Sequence, residues 1–498
     1  MRRIPILLSL FFISAVALAD TYWVAFADKK GTADITLPES FLSQRAIDRR
    51  TKQNIAIDSL DLPVSPAYID SLRLLGATIL FPSRWHNGVT VKTDSTIAAR
   101  LSALPFVTKI ERTQRENIQQ SVRRKLPSVQ QETSNPYGTA KTQTEMLHLQ
   151  SLHEAGYQSK GMYIAVVDNG FPKVNTSTYF DSVRNRILYT RNLIDAATDV
   201  YSVGDHGSCV LSCMAAYKEN TYCGTAIEAS YCLIVTEDDD TESWREIDAQ
   251  VAAFELADSL GADIITTSLG YYACFDDPSM DFQYTMLDGK TLRNSRAATV
   301  AARKGMIVCV AAGNEGNDAW HYITAPADAD SILAVGSVTS AGIQSNFSSF
   351  GPAADGRVKP DVCAMGTSTC LYNPSSDGLA YSNGTSFSTP QIAGAVACLW
   401  QALPNLNNMQ IIERIRTMSS LSDAPNDSLG YGIPDMWSAY MGEKTAVENI
   451  EAEPIETIEA ETELFTLQGQ RVENNHNLPQ GVYIKRQRSR VEKLLITR

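Results

Sequence analysis

The run Tyr163-Ile164-Ala165-Val166-Val167 constrains this chain more than any other stretch. Apolar residues in unbroken succession suit a strand covered on both faces, and such strands belong to parallel sheets sandwiched between helices. The pattern recurs at Tyr231–Val235, Ile264–Leu269, Met306–Ala312 and Ile332–Val338. Segments of helical periodicity separate the runs, among them Trp244–Leu260, which stops at Gly261, and Ser295–Lys304. This alternation predicts an α/β domain over residues 138–441, a doubly wound parallel sheet with helices on both faces. Sites in such sheets form at the carboxyl ends of the strands.

Polar residues stand where these strands end. Asp168-Asn169-Gly170 follows Val167, Gly270-Tyr271 follows Leu269, and Gly313-Asn314-Glu315-Gly316 follows Ala312. His206, in Gly204-Asp205-His206-Gly207-Ser208, precedes a helix-like run. Ser386 lies in Asn383-Gly384-Thr385-Ser386-Phe387-Ser388-Thr389-Pro390. Gly384 permits a tight turn. Pro390 opens an apolar run, Ile392–Leu399, that reads as a buried helix, and Pro suits a first helical turn. Ser386 therefore sits at or just before a helix N-terminus, where free N–H groups favour negative charge. Each of these residues alone reads as a cap or a turn residue. Converging on one strand-end face, Asp168, His206, Asn314 and Ser386 supply an orienting carboxylate, a general base, an oxyanion donor and a nucleophile.

The rest of the 498 residues bounds the setting. A net charge of −13 argues against a nucleic-acid partner. Residues 1–19 read as a signal peptide: Arg2 and Arg3, the apolar run Ile4–Phe12, then Ala17-Leu18-Ala19. No later segment is apolar and long enough for a membrane span, so an exported chain without a transmembrane segment is expected, secreted or at the cell surface. Residues 20–130 read as a small α+β unit, in which His86 has no partner motif and reads as structural. Its end, Ser121–Ser134, is a polar linker carrying Arg123, Arg124 and Lys125. All nine cysteines fall between Cys209 and Cys398. Cys232, Cys309 and Cys398 read as buried thiols, and Cys363 with Cys370 as a disulfide. No Cys/His spacing suggests zinc, and the acidic run Glu237–Asp240, like Asp276 and Asp277, reads as a solvated loop. Residues 442–463 form a Glu-rich linker, and residues 464–498 read as a small all-β domain with Gly turns.

Seven motifs, in order, carry a resemblance: Val166-Val167-Asp168-Asn169-Gly170, Asp205-His206-Gly207-Ser208, Thr267-Ser268-Leu269-Gly270, Ala311-Ala312-Gly313-Asn314-Glu315-Gly316, Phe347-Ser348-Ser349-Phe350-Gly351-Pro352, Lys359-Pro360-Asp361-Val362 and Asn383-Gly384-Thr385-Ser386. Residues 138–441 resemble the subtilisin-like serine peptidases, whose triad runs Asp, His, Ser along the chain. The resemblance implies a serine endopeptidase in which Ser386 attacks the scissile carbonyl, His206 carries the proton, Asp168 orients the imidazole, and Asn314 with the Ser386 N–H holds the oxyanion. It implies that Ser268, Leu269 and Gly270 pair with an extended peptide and wall a specificity pocket with Ala312 and Gly313. Thr324 would narrow that pocket. The N-terminal unit takes the place of the family's propeptide, an intramolecular inhibitor that is later cut away within residues 121–137.

Two positions depart from the family pattern. Cys209 stands where many members carry a second histidine, which places a thiol near the site and makes inhibition by a mercurial an expectation. The segment Tyr217–Gly224 is shorter than the insert that holds calcium in some members, so the sequence supports no metal and no cofactor. The tail resembles the C-terminal sorting domain of the bacterial type IX secretion system, which implies outer-membrane secretion machinery as a partner. A second reading is a catalytically inactive surface binding protein that keeps the fold. Digestive and dedicated maturation roles both stay open.

Overall fold

The computed structural model describes residues 19–115, 128–129, 135–443, 463–465, 471–472, 481–487 and 490–496. The expected signal segment (residue 19 excepted), the 121–134 linker (128–129 excepted) and the acidic stretch 444–462 lie outside the described residues. Among the described residues no helix is long and apolar enough to cross a membrane.

The chain opens with β1 (Asp20–Phe26), α1 (Gln44–Lys52), α2 (Pro66–Leu74), β2 (Thr78–Ser83), β3 (Gly88–Thr93), α3 (Ser95–Ser102) and β4 (Val107–Gln114). The strands form an antiparallel sheet in the order β2-β3-β1-β4. Side-chain caps start two of the helices: Ser43 accepts from Ala46 N, and Asp94 from Ile97 N. Val24, Leu72, Val89, Val91 and Leu101 are fully buried between sheet and helices. A short strand, β5 (Ser128–Val129), then pairs antiparallel with a hairpin strand far along the chain.

The larger body begins with α4 (Lys141–Glu145) and α5 (Leu149–Glu154). It continues through β6 (Tyr163–Asp168), β7 (Ile187–Asn192), α6 (His206–Ala215), the ribbon β8 (Tyr217–Lys218) and β9 (Tyr222–Cys223), β10 (Ser230–Val235), α7 (Trp244–Leu260) and β11 (Ile264–Thr267). Then follow α8 (Arg293–Arg303), β12 (Ile307–Ala311), β13 (Leu333–Val338), β14 (Val362–Met365), the hairpin β15 (Thr369–Asn373) and β16 (Gly378–Ser382), α9 (Thr385–Ala402), α10 (Asn408–Thr417) and α11 (Met436–Met441). Seven parallel strands run in the order β14-β13-β12-β11-β6-β10-β7. Successive side chains of a strand point to opposite faces. Ile164, Val166 and Leu233 therefore join one core with α6 and α9, while Ala165, Val167 and Ile234 join another with α7 and α8. From β6 the chain passes to β7 at the edge, returns to β10 beside β6, and then crosses to β11 on the other side of β6. Asp168, the last residue of β6, thus stands at a switch point of the sheet.

The antiparallel unit lies against α7. Asp248, Glu255 and Asp258 share one face of this helix, and all three are buried. Asp258 pairs with Arg49, with Arg50 at 2.8 Å and with Arg84 at 2.5 Å. Glu255 accepts from Ser83 Oγ at 2.5 Å and Arg84 N at 2.8 Å, and Asp248 from Thr90 Oγ1 at 2.7 Å. His86 is seated at this contact, its Nε2 2.9 Å from Arg293 O. Residues 441–498 form a separate unit, in which β17 (Glu463–Phe465), β18 (Arg471–Val472), β19 (Gly481–Gln487) and β20 (Arg490–Ile496) make an antiparallel sheet in the order β18-β17-β19-β20.

The disulfide expected between Cys363 and Cys370 is corrected: both thiols are free. Cys363 lies on β14 with Sγ near Leu429 O, and Cys370 lies on β15 with Sγ 3.1 Å from Thr139 Oγ1. The two strands aim the thiols at different neighbours, and a disulfide needs Cβ atoms that face each other. Cys232, Cys309 and Cys398 are buried free thiols, as expected.

Candidate active site

Local structure brings Asp168 and His206 together. Gly170 and Gly207 let the loop after β6 pack on the start of α6; a Cβ on Gly207 would overlap Gly170 O and Asp168 Cβ. The helix cap comes from another element, since Asn169 Oδ1 accepts from His206 N at 3.1 Å and Gly207 N at 3.3 Å. Asp168 Oδ1 then accepts from His206 Nδ1 at 2.8 Å and from Asn169 N at 2.8 Å. A proton held on Nδ1 leaves Nε2 free to accept one. Burial works against a charged imidazole, but the adjacent Asp168 carboxylate and its hydrogen bond outweigh it, so the His206 pKa is raised above the ordinary value.

Ser386 is the second residue of α9, after Gly384 at φ +155°. Pro390 lies in the second turn rather than the first. A proline inside a helix removes the hydrogen bond to the carbonyl four residues back. That carbonyl belongs to Ser386, and Ser268 Oγ donates to it instead, at 2.8 Å. The Pro390 position thus links the start of α9 to the loop after β11. Ser386 Oγ donates to Ser268 O at 3.3 Å, and no hydrogen bond joins it to His206. The His206 ring lies 5.7 Å from that of Phe387, centre to centre. Contacts of this kind close up when a substrate arrives.

Asn314 is exposed, and its orientation is set by Thr385. Its Oδ1 accepts from Thr385 N at 2.9 Å and Thr385 Oγ1 at 3.1 Å, which leaves the amide NH₂ pointing away from α9. The N–H groups of the first helical turn lack partners within the helix, so the Ser386 N–H is available beside it. Ser268, Leu269, Gly270, Asn314 and His206 line one cleft of about 540 Å³. Ala312 and Gly313 are buried behind it, and Thr324 donates its N–H to Ala312 O at 2.9 Å while standing against Gly270.

The same cleft holds what the sequence reading missed. Residues 237–240 were expected in solvent, but Glu237 turns inward, and Tyr271 Oη donates to its Oε1 at 2.6 Å. The carboxylates of Glu237, Glu242 and Glu246 lie within 4.8 Å of one another, the one group among the described residues with metal-ligand spacing. Burial, with smaller contributions from the Asp168 and Asp239 charges, pushes Glu237 up to about 7, and burial with repulsion from Glu237 and Asp276 pushes Glu242 up to about 8. The second carboxylate four residues along, at the start of the apolar-faced helix α7, was the available sequence signal. Asp276 accepts from Glu242 N and stays exposed, whereas Asp277 pairs with Arg115 at 3.3 Å. Cys209 is 7% exposed, and burial pushes its thiol pKa well up, a state slow to react with a mercurial.

The model for the subtilase family matches residues 159–432, more than half of the chain and all of the strand ends described above. The chain belongs to the subtilase family. A second match, over residues 21–131, is to the peptidase S8 propeptide domain of Bacteroidota, so this subtilase carries a propeptide in front of its peptidase domain. Curated relatives include subtilisin from Bacillus pumilus, 28% identical over 291 residues that cover 58% of this chain and 92% of that protein. Subtilisin E from Bacillus subtilis is 29% identical over 293 residues, 58% of this chain and 66% of that protein. Among solved structures, the epidermin leader peptide processing serine protease of Staphylococcus aureus superposes with a TM-score of 0.58 at 17% identity, covering 88% of this chain and 100% of that one, a likeness of fold.

Proposed function

We propose that this subtilase is a serine endopeptidase made as a zymogen, in which Ser386 is the nucleophile, His206 the general base, Asp168 its orienting carboxylate, and Asn314 with the Ser386 N–H the oxyanion hole. The observation that carries this reading is the 2.8 Å bond from His206 Nδ1 to the fully buried Asp168, at the sheet's switch point and across the cleft from α9. In the reaction Ser386 Oγ adds to the scissile carbonyl as His206 Nε2 takes its proton. The oxyanion that forms meets the Asn314 amide and the start of α9. His206 then gives the proton to the leaving amine, and water splits the acyl ester. Ser268, Leu269 and Gly270 hold the substrate extended by strand addition.

Buried charge pairs on α7 hold the propeptide as an inhibitor of its own chain. The signal segment exports the precursor, and the C-terminal sheet addresses it to outer-membrane secretion machinery. Expression of the intact chain tests the catalytic part. The wild type shortens itself, and the Ser386→Ala chain keeps its full length; equal shortening of both refutes the assignment. Deletion from Leu464 onward leaves the protein in the periplasm if the tail is the address, and normal export refutes that role.

A further inference from the structure

Seven of the fifteen residues that line the catalytic cleft are carboxylates, and none is Lys or Arg, so the cleft repels an acidic peptide and attracts a basic one. Six of the acids stand on the loop after β10 and the first turn of α7, opposite Ser268–Gly270 on the loop after β11, which itself carries the seventh, Asp276. Among the described residues Arg245 pairs with Asp238, and no Lys or Arg pairs with Glu237, Glu242 or Glu246. These three lie together, Glu246 buried and the other two half-buried, without a counter-charge among the described residues.

A second observation, from another part of the chain, says what fills the cleft. β5 pairs antiparallel with β16, Val129 opposite Leu379 and Ser128 opposite Ala380. β16 runs on toward Ser386, so a partner strand read backward from Val129 to Ser128 approaches the nucleophile too. The residues just before Ser128 are Arg123-Arg124-Lys125-Leu126-Pro127. With that direction, a scissile bond ahead of Ser128 has the basic run on its N-terminal side.

We propose that the acidic cleft selects Lys and Arg on the N-terminal side of the scissile bond, and that its first occupant is the chain's own Arg123-Arg124-Lys125, which sets the maturation cut behind Arg124 or Lys125. The proposal rests on the endopeptidase reading above. In this cut the bond from Ser386 Oγ to the carbonyl carbon forms and the peptide C–N bond breaks. The new amine leaves with the proton that His206 took from Ser386, and water releases the propeptide's carboxylate. Tyr271 and Thr236 hold Glu237 in place, while Glu242 has no side-chain hydrogen bond of this kind among the described residues. Glu242 therefore meets the incoming cation directly, and the proton that its raised pKa lets it hold leaves to water as the ion pair forms.

The test uses the full chain. Mass spectrometry of the first shortened product is expected to show an N-terminus at Lys125 or Leu126, and a product starting elsewhere overturns the proposed occupant. Arg123→Ala/Arg124→Ala/Lys125→Ala is expected to slow self-cleavage at least tenfold; an unchanged rate overturns it as well. The matured enzyme is then given two peptides that differ by Arg-Arg or Ala-Ala before the cut. A kcat/KM ratio of about tenfold or more is expected, and Glu242→Gln reduces it by about tenfold, the factor of one charge-assisted contact. Equal cleavage of both peptides, or a ratio unmoved by Glu242→Gln, overturns the subsite alone. If calcium raises the Tm of the wild type but not of Glu242→Gln while both peptides are cut equally, the carboxylates hold a cation and the proposal falls. No cleavage of the junction or of either peptide, or cleavage that survives Ser386→Ala, refutes the endopeptidase reading instead.

Discussion

Replacing Asp258 by Ala in a Ser386→Ala precursor, which stays uncut, removes the carboxylate on which three propeptide arginines converge. Asp258 is fully buried, and the Arg49, Arg50 and Arg84 side chains are 3%, 1% and 9% exposed. Taking one partner from a buried ion pair costs about 3–5 kcal/mol, because the remaining charge is left uncompensated. The cost is not tripled here. Arg50 keeps Asp61 at 2.6 Å, and Arg84 keeps the Glu255 carbonyl at 2.9 Å. Arg49 is the residue left with carbonyl oxygens alone, among them Lys304 O at 3.2 Å. The expected loss is therefore about 4 kcal/mol, the middle of that range, or docking weaker by about a thousandfold. Urea unfolding of the two precursors reads this difference. The same substitution in the matured enzyme, where Asp258 meets water, moves stability by less than about 1 kcal/mol. A precursor loss below about 1 kcal/mol, the scale of a solvated pair, refutes the reasoning and assigns the docking to apolar contacts.

Three further outcomes follow from the site. His206 must be neutral to accept a proton, and Asp168 raises its pKa, so kcat/KM climbs with pH on an acidic limb centred above the ordinary histidine value of about 6.5; Asp168→Asn moves that limb to lower pH and lowers kcat by about 10⁴, and an unmoved limb contradicts the assignment. Asn314→Ala lowers kcat by about 10²–10³ with little change in KM, a magnitude carried over from the family rather than worked from these distances; a loss in KM alone places Asn314 outside the oxyanion site. Gly270→Ala forces its methyl into the Thr324 hydroxyl, so kcat/KM for extended peptides falls while the thermal midpoint stays within a few degrees; full activity shows that the loop is free to shift.

The strand-end residues were legible because the sequence states their surroundings. β6, β10 and β12 are built on unbroken apolar runs, and the first polar residue that follows each run stands at or just past the strand end, at the sheet's rim. Gly261, the residue at which the α7 pattern stops, caps the helix at φ +84°. Other features depend on contacts that no local pattern encodes. β7 is an edge strand with mixed exposure and no apolar run. Pro390 reads as a first-turn proline, and its second-turn place is tolerable because Ser268 takes up the carbonyl it strands. Residues 237–242 carry the charge of a solvated loop; the opposing Tyr271 and the first turn of α7 bring them into the cleft. Cys363 and Cys370 are close in sequence, but the strands that carry them decide which way each thiol faces.

The nucleophile itself can be read directly. Phenylmethylsulfonyl fluoride sulfonylates a serine whose hydroxyl a neighbouring base activates. With the matured wild-type enzyme, peptide mapping is expected to find one sulfonyl group on the fragment containing Ser386, formed in step with loss of peptidase activity and absent in Ser386→Ala. An adduct on another residue, or full activity in an enzyme modified at Ser386, would contradict the assignment of Ser386 as the attacking group.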